Sequence, residues 1–146
     1  MSGARGLLPD QVLDQAAELL LAAADAAVHD GRDTWLPGRT LGTHSLGVLN
    51  DQARPAVIIE TWADRLEAVN AYLSPVGPVT GRAFAAWLAD AAHRHRSSAK
   101  AARSTWPRDA AARASWVQQH TDQHALAAAR ALLVTAAAHP AAAVTR

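Results

Sequence analysis

Alanine fills 37 of the 146 positions, and no other feature restricts the fold of this chain so strongly. Ala is the best helix former and is depleted in strands. It also contributes little apolar area when buried. Such a chain folds as helices in close approach, around a core short of large side chains. Aromatic residues number seven, five of them Trp. β-branched residues are scarce, no apolar–polar alternation runs anywhere, and no Asn-Gly or Asp-Gly turn joins two β-branched segments. The expected class is therefore all-α: a single-domain bundle of four to five helices, mostly antiparallel, with an Ala-rich core. A chain of 146 residues fits one domain of this kind.

Periodicity places the helices. Residues 10–29 read as the first, opened by Pro9-Asp10 and closed at Gly31. Leu13, Ala17, Leu20, Ala24 and Ala27/Val28 form its apolar seam, while Asp10, Asp14, Glu18 and Asp25 lie on another face. Residues 30–54 are the irregular segment, with Pro37-Gly38 suited to a type II turn and a short helix expected from Ser45, its N-cap, to Ala53. Ile58, Trp62, Leu66, Val69 and Leu73 then predict a helix over 55–73, with Glu60, Asp64 and Glu67 as a second acidic face. A third helix over 80–103 takes Thr80 as its N-cap and turns Phe84, Trp87, Leu88, Ala91 and His95 inward. The last helical region, 107–138, starts at Pro107 and would be about 48 Å long if unbroken. A break is expected at His120-Thr121-Asp122, with Thr121 capping the second piece. Trp116, Val117, Leu126, Leu133 and Val134 supply its large apolar contacts. Residues 1–9 and 141–146 are expected to fray.

The formal net charge of +1 conceals two opposed halves. Residues 1–90 carry six Arg against eleven acids, a net −5, and residues 91–146 carry eight Lys and Arg against Asp109 and Asp122, a net +6. Arg94, Arg96, Lys100, Arg103, Arg108 and Arg113 concentrate the positive charge. That density suits phosphate contacts or an acidic protein face. No helix-turn-helix, RNP stretch or GxxG clamp accompanies it, so docking on the acidic helix faces is the favoured reading. The single Lys beside 13 Arg fits high-GC coding drift.

Other chemistries find little footing. Cys is absent, which removes disulfides, thiolate zinc sites and Cys nucleophiles together. His120 and His124 stand at i, i+4, a spacing that aims two imidazoles at one metal on an unbroken helix, with His93 and His95 as further ligands. Thr121 occupies the position where a metalloprotease-like motif needs Glu. Ser45 lies in Gly42-Thr-His-Ser-Leu-Gly47, which lacks the glycine two residues before the serine of a nucleophile elbow; a capping role fits better. No Glu-x-x-His pair marks a di-iron bundle, and no glycine-rich phosphate loop is present, so no cofactor is expected. The longest apolar run, Leu19 to Ala24, is far short of the ~20 residues of a membrane span. The first ten residues lack an apolar signal-like region, and the location expected is cytoplasmic.

The functional expectation is a small non-catalytic helical interaction or regulatory protein that self-associates. Two alternatives stand beside it. One is a nucleic-acid-associated accessory protein using the basic 93–113 region. The other is a His-based metal-binding protein or enzyme.

Overall fold

A computed structural model of the protein describes residues 6–28, 31, 33–39, 46–49, 57–60 and 73–138. Four α-helices dominate these residues: α1 (Pro9–Ala26), α2 (Pro78–Thr105), α3 (Ala110–Gln119) and α4 (Gln123–Ala138). The helical class holds, with the helix count at the lower end of the range expected from the sequence. A 3-10 turn, Ser74–Val76, leads into α2.

The expectation that no strand occurs is corrected. Leu36–Arg39 (β1), Leu46–Leu49 (β2) and Val57–Glu60 (β3) form a three-stranded antiparallel sheet in the order β1-β2-β3. Strand β2 lies within the span Ser45 to Ala53 and β3 within the span 55–73, where helices were expected; the other residues of these spans up to 72 lie outside the described residues. Pro37 and Gly38 lie within β1, paired with Val48 and Gly47, rather than in a type II turn. Pro37 is tolerated because β1 is an edge strand and owes no ladder hydrogen bond on its outer side. Between Val48 and Leu49 the β2–β3 register shifts, which leaves Ile58 outside the pairing. Trp62, Asp64, Leu66, Glu67 and Val69 lie outside the described residues, as do His44 and Ser45.

The chain divides into two compact units: Met1–Leu19 with Ala85–Arg146, and Leu20–Phe84. In the first unit, Val12, Leu13, Ala16 and Ala17 of α1 join Leu88, Ala91 and Ala92 of α2 and Ala125, Leu126 and Ala129 of α4 in one buried cluster. Trp87, Leu132 and Leu133 pack against its rim. Val134, expected inside, is 66% exposed, and Phe84 is 48% exposed.

The helix ends depart from the expected ones by a few residues. Helix α2 starts at Pro78 rather than after Thr80, because proline's fixed φ and missing N–H suit the first helical position. Helix α3 starts at Ala110 rather than at Pro107; the Asp109 carboxylate accepts from Ala112 N at 2.9 Å and caps it. The expected break at residues 120–122 is present. Its cap is Asp122, which accepts from Ala125 N at 2.9 Å, and not Thr121.

In the second unit, Arg82 of α2 spans two carboxylates, donating to Asp25 at 2.8 Å and to Asp33 at 3.0 Å. The Asp25 hydrogen bond leads in raising the guanidinium above its ordinary value, and Asp33 adds to it. Its charge therefore persists at every accessible pH. The backbone comes close at two glycines. A Cβ on Gly77 would meet the Trp35 ring at 3.1 Å, and one on Gly81 would meet the Ala24 Cβ at 3.0 Å.

The Gly81 contact sets a test. Gly81→Val forces atoms against a residue that has no rotamer to yield, so unfolding free energy should fall by about 1–3 kcal/mol despite the better helix propensity of Val. Adding Ala24→Gly should return part of that loss in urea melts. Equal stability of wild type and Gly81→Val would show that the two helices do not meet there.

Candidate functional site

The basic run from Arg94 to Arg113 is the strongest chemical feature of the sequence, and the structure divides it in two. Three of its members are engaged within the chain. Arg94 pairs with Asp90 one turn earlier and reaches Asp122 at 3.5 Å. Arg96 pairs with Asp14 of α1 at 2.5 Å. Arg113 donates to the carbonyls of Trp106 at 2.8 Å and Pro107 at 2.9 Å, and so folds the α2–α3 turn onto α3. The partners of Arg94 and Arg96 are partly exposed, so each pair is worth about 0–1 kcal/mol.

The other three stay exposed without a carboxylate partner: Lys100 and Arg103 near the end of α2, and Arg108 in the turn that follows. Helical geometry puts Lys100 and Arg103 about 4.5 Å apart along the axis. Neither acid of the last 56 residues answers them: Asp109 caps α3, and Asp122 caps α4 and meets Arg94. Docking of this face on acidic helices is thus realised at Arg96 and Asp14. The side chains of Glu60, Asp64 and Glu67 lie outside the described residues.

Beside the cations stands an aromatic stack. The rings of Trp106 and Trp116 are 5.3 Å apart and tilted, and His120 lies on Trp116 at 3.8 Å, nearly parallel. Helix α3 has no fully buried residue, and Trp116, partly buried, is its main apolar contribution. The Trp116 indole Nε1 has no hydrogen-bond partner. The sequence marked Trp116 as a packing residue and missed its stacking with His120, although i, i+4 spacing on one helix was the available signal.

Two histidines, His95 and His120, make hydrogen bonds within the fold. His120 Nδ1 lies 2.8 Å from the Trp116 carbonyl, an atom that only accepts, so Nδ1 carries the proton. His95 is buried and its Nδ1 lies 2.9 Å from the Thr121 hydroxyl. That hydroxyl already donates to the Val117 carbonyl at 2.6 Å. With its one proton committed, Thr121 can only accept, so His95 Nδ1 is also protonated. His93 and His124 are exposed. The helix break falls between His120 and His124, so the paired-ligand geometry of an unbroken helix does not form. Among the described residues, no three His, Asp or Glu side chains gather in a way that could hold a metal ion.

An open depression of about 500 Å³ lies at the α3–α4 junction, lined by Ser115, Gln118, Gln119, Thr121 and Gln123. Its lining offers neutral hydrogen-bonding groups, some already used: Gln119 donates to Ser115 at 3.2 Å and Gln123 to the Gln118 carbonyl at 3.4 Å. No titratable group borders it.

Replacing the buried hydroxyl isolates its contribution. Thr121→Val keeps the shape and strands the His95 N–H, which should lower unfolding free energy by about 1–3 kcal/mol. Chemical denaturation of this variant, and of Thr121→Val with His95→Leu, measures the coupling. A double variant no more stable than Thr121→Val would remove the hydrogen bond from the account.

Compared with protein-family models, curated proteins and solved structures, the chain matches none.

Proposed function

We propose that this protein is a non-catalytic helical interaction protein that self-associates. One observation carries the reading: the buried core among the described residues is mostly alanine, while four leucines on or beside α1 stay exposed. Of the thirteen buried hydrophobic residues described, nine are Ala, while Leu7, Leu8, Leu19 and Leu21 remain exposed along or next to α1. The apolar seam of α1 is buried at Leu13 and Ala17 inside the first unit. A different strip of α1 is open. Leu8, Gln11, Gln15 and Leu19 follow steps of three, four and four, and all are exposed. None of these four side chains is charged.

A non-catalytic role agrees with the side-chain chemistry. His95 and His120 both spend the Nδ1 proton on a structural acceptor, and the Thr121 hydroxyl is already a donor to a carbonyl. Among the described residues, no helix is long and apolar enough to cross a membrane.

Self-association has a thermodynamic signature, because a second copy stabilises only the folded state. Sedimentation equilibrium should show mass rising from monomer toward dimer with concentration, and Tm should rise in parallel. Leu8→Ser with Leu19→Ser should abolish both trends and leave the dilute-limit Tm unchanged. A monomer at all concentrations, with a concentration-independent Tm, would overturn the reading.

A further inference from the structure

The α2–α3 corner differs in kind from the α1 strip. Its three unpaired cations stand on a surface with no apolar centre. From Ala85 to Leu133, no large hydrophobic side chain among the described residues is exposed. Ala101, Arg103, Ser104, Thr105, Pro107 and Arg108 present small, polar or basic groups, and Trp106 is half-buried against Trp116.

This composition selects a class of partner. The centre of a protein–protein interface is depleted in charge and anchored by apolar or aromatic groups. Protein–nucleic acid interfaces are more polar and far more positive. An acidic protein partner would need an apolar anchor here and finds none, whereas a phosphate backbone needs only accessible cations. Asp109, next to Arg108 in sequence, turns its carboxylate to the α3 N-terminus, where it balances the positive end of the helix dipole.

We propose that Lys100, Arg103 and Arg108 form a contact surface for the sugar–phosphate backbone of a nucleic acid. The contact reads no sequence. The corner offers point charges and guanidinium forks for phosphates. Arg94, Arg96 and Arg113 take no part, because carboxylates and carbonyls already hold them. This surface is separate from the self-association strip, and either can fail without the other.

The test is fluorescence anisotropy of a labelled duplex of about 20 base pairs, titrated with the full chain. Three phosphate contacts imply an affinity that falls roughly 40-fold between 50 and 200 mM salt. This slope tests the proposal on the wild-type protein alone. Lys100→Gln, Arg103→Gln and Arg108→Gln together should weaken binding at least tenfold at 50 mM salt, with an unchanged melting curve. Arg130→Gln, an equally exposed cation on α4, should leave binding within twofold. Poly-glutamate of matched charge should compete at least tenfold less well than unlabelled duplex. Absence of binding at 50 mM salt would overturn the proposal. So would equal losses in the triple and Arg130 variants, or equal competition by poly-glutamate, which would assign the corner to an acidic protein.

Discussion

Leu13 and Leu88 are the two large side chains on which the alanine core of the first unit closes. They are 0% and 1% exposed, and most of what surrounds them is Ala. Alanine loses no rotamer entropy on burial and lets helices approach closely, but it returns little apolar area. Each buried leucine, by contrast, contributes about 1.5–3 kcal/mol. Stability is therefore concentrated in a few positions. A void left at one of them could not be refilled by neighbours that have no side-chain torsion to turn, which places such sites toward the costly end of leucine-to-alanine changes.

Because the apolar term is thin, polar side chains carry much of the positional information. Two consecutive residues of α2, Arg94 and His95, reach two consecutive residues at the α3–α4 break, Asp122 and Thr121. Asp122 serves both the α4 N-terminus and Arg94, so one carboxylate ends one helix, starts the next and ties the junction to α2. A hydrogen bond to a buried group adds little when made and costs much when left unmade. The His95–Thr121 pair thus acts mainly against alternative arrangements, including a continuous helix through residues 120–122.

What the sequence disclosed follows from how each signal arises. The α1 seam was legible because Leu13, Ala17 and Ala24 repeat over about three turns, and all three are buried. The break at 120–122 was legible because Thr and Asp favour caps over helix interiors, although the two residues exchange the roles expected of them. The sheet was not legible. Four residues are too few to separate a period of two from one of 3.6, and Pro37, Gly38 and Gly47 argue against strands on propensity. The run Val57-Ile58-Ile59 did carry a strand signal, but the helical spacing of Ile58, Trp62, Leu66 and Val69 outweighed it. Of the candidate site, the sequence showed the cations but not which were engaged, since Asp14 and Arg96 are 82 residues apart.

The charge asymmetry now has a structural origin. The last 56 residues hold two acids, and both sit at helix N-termini, where a carboxylate accepts backbone N–H groups and opposes the dipole. Two carboxylates that also serve as caps leave little to neutralise the basic residues of this half, and only Asp122 does both. Arg94 and Arg96 find partners only because Asp90, Asp122 and Asp14 come within reach. Lys100, Arg103 and Arg108 pair with no carboxylate among the described residues and are left facing water. The apolar strip on α1 and the cationic corner therefore arise from separate shortages, one of core area and one of acids. They also obey different physics: burial of Leu8 and Leu19 is insensitive to moderate salt, whereas contact between cations and phosphates is weakened by it. Ionic strength is thus the variable that acts on one surface and spares the other.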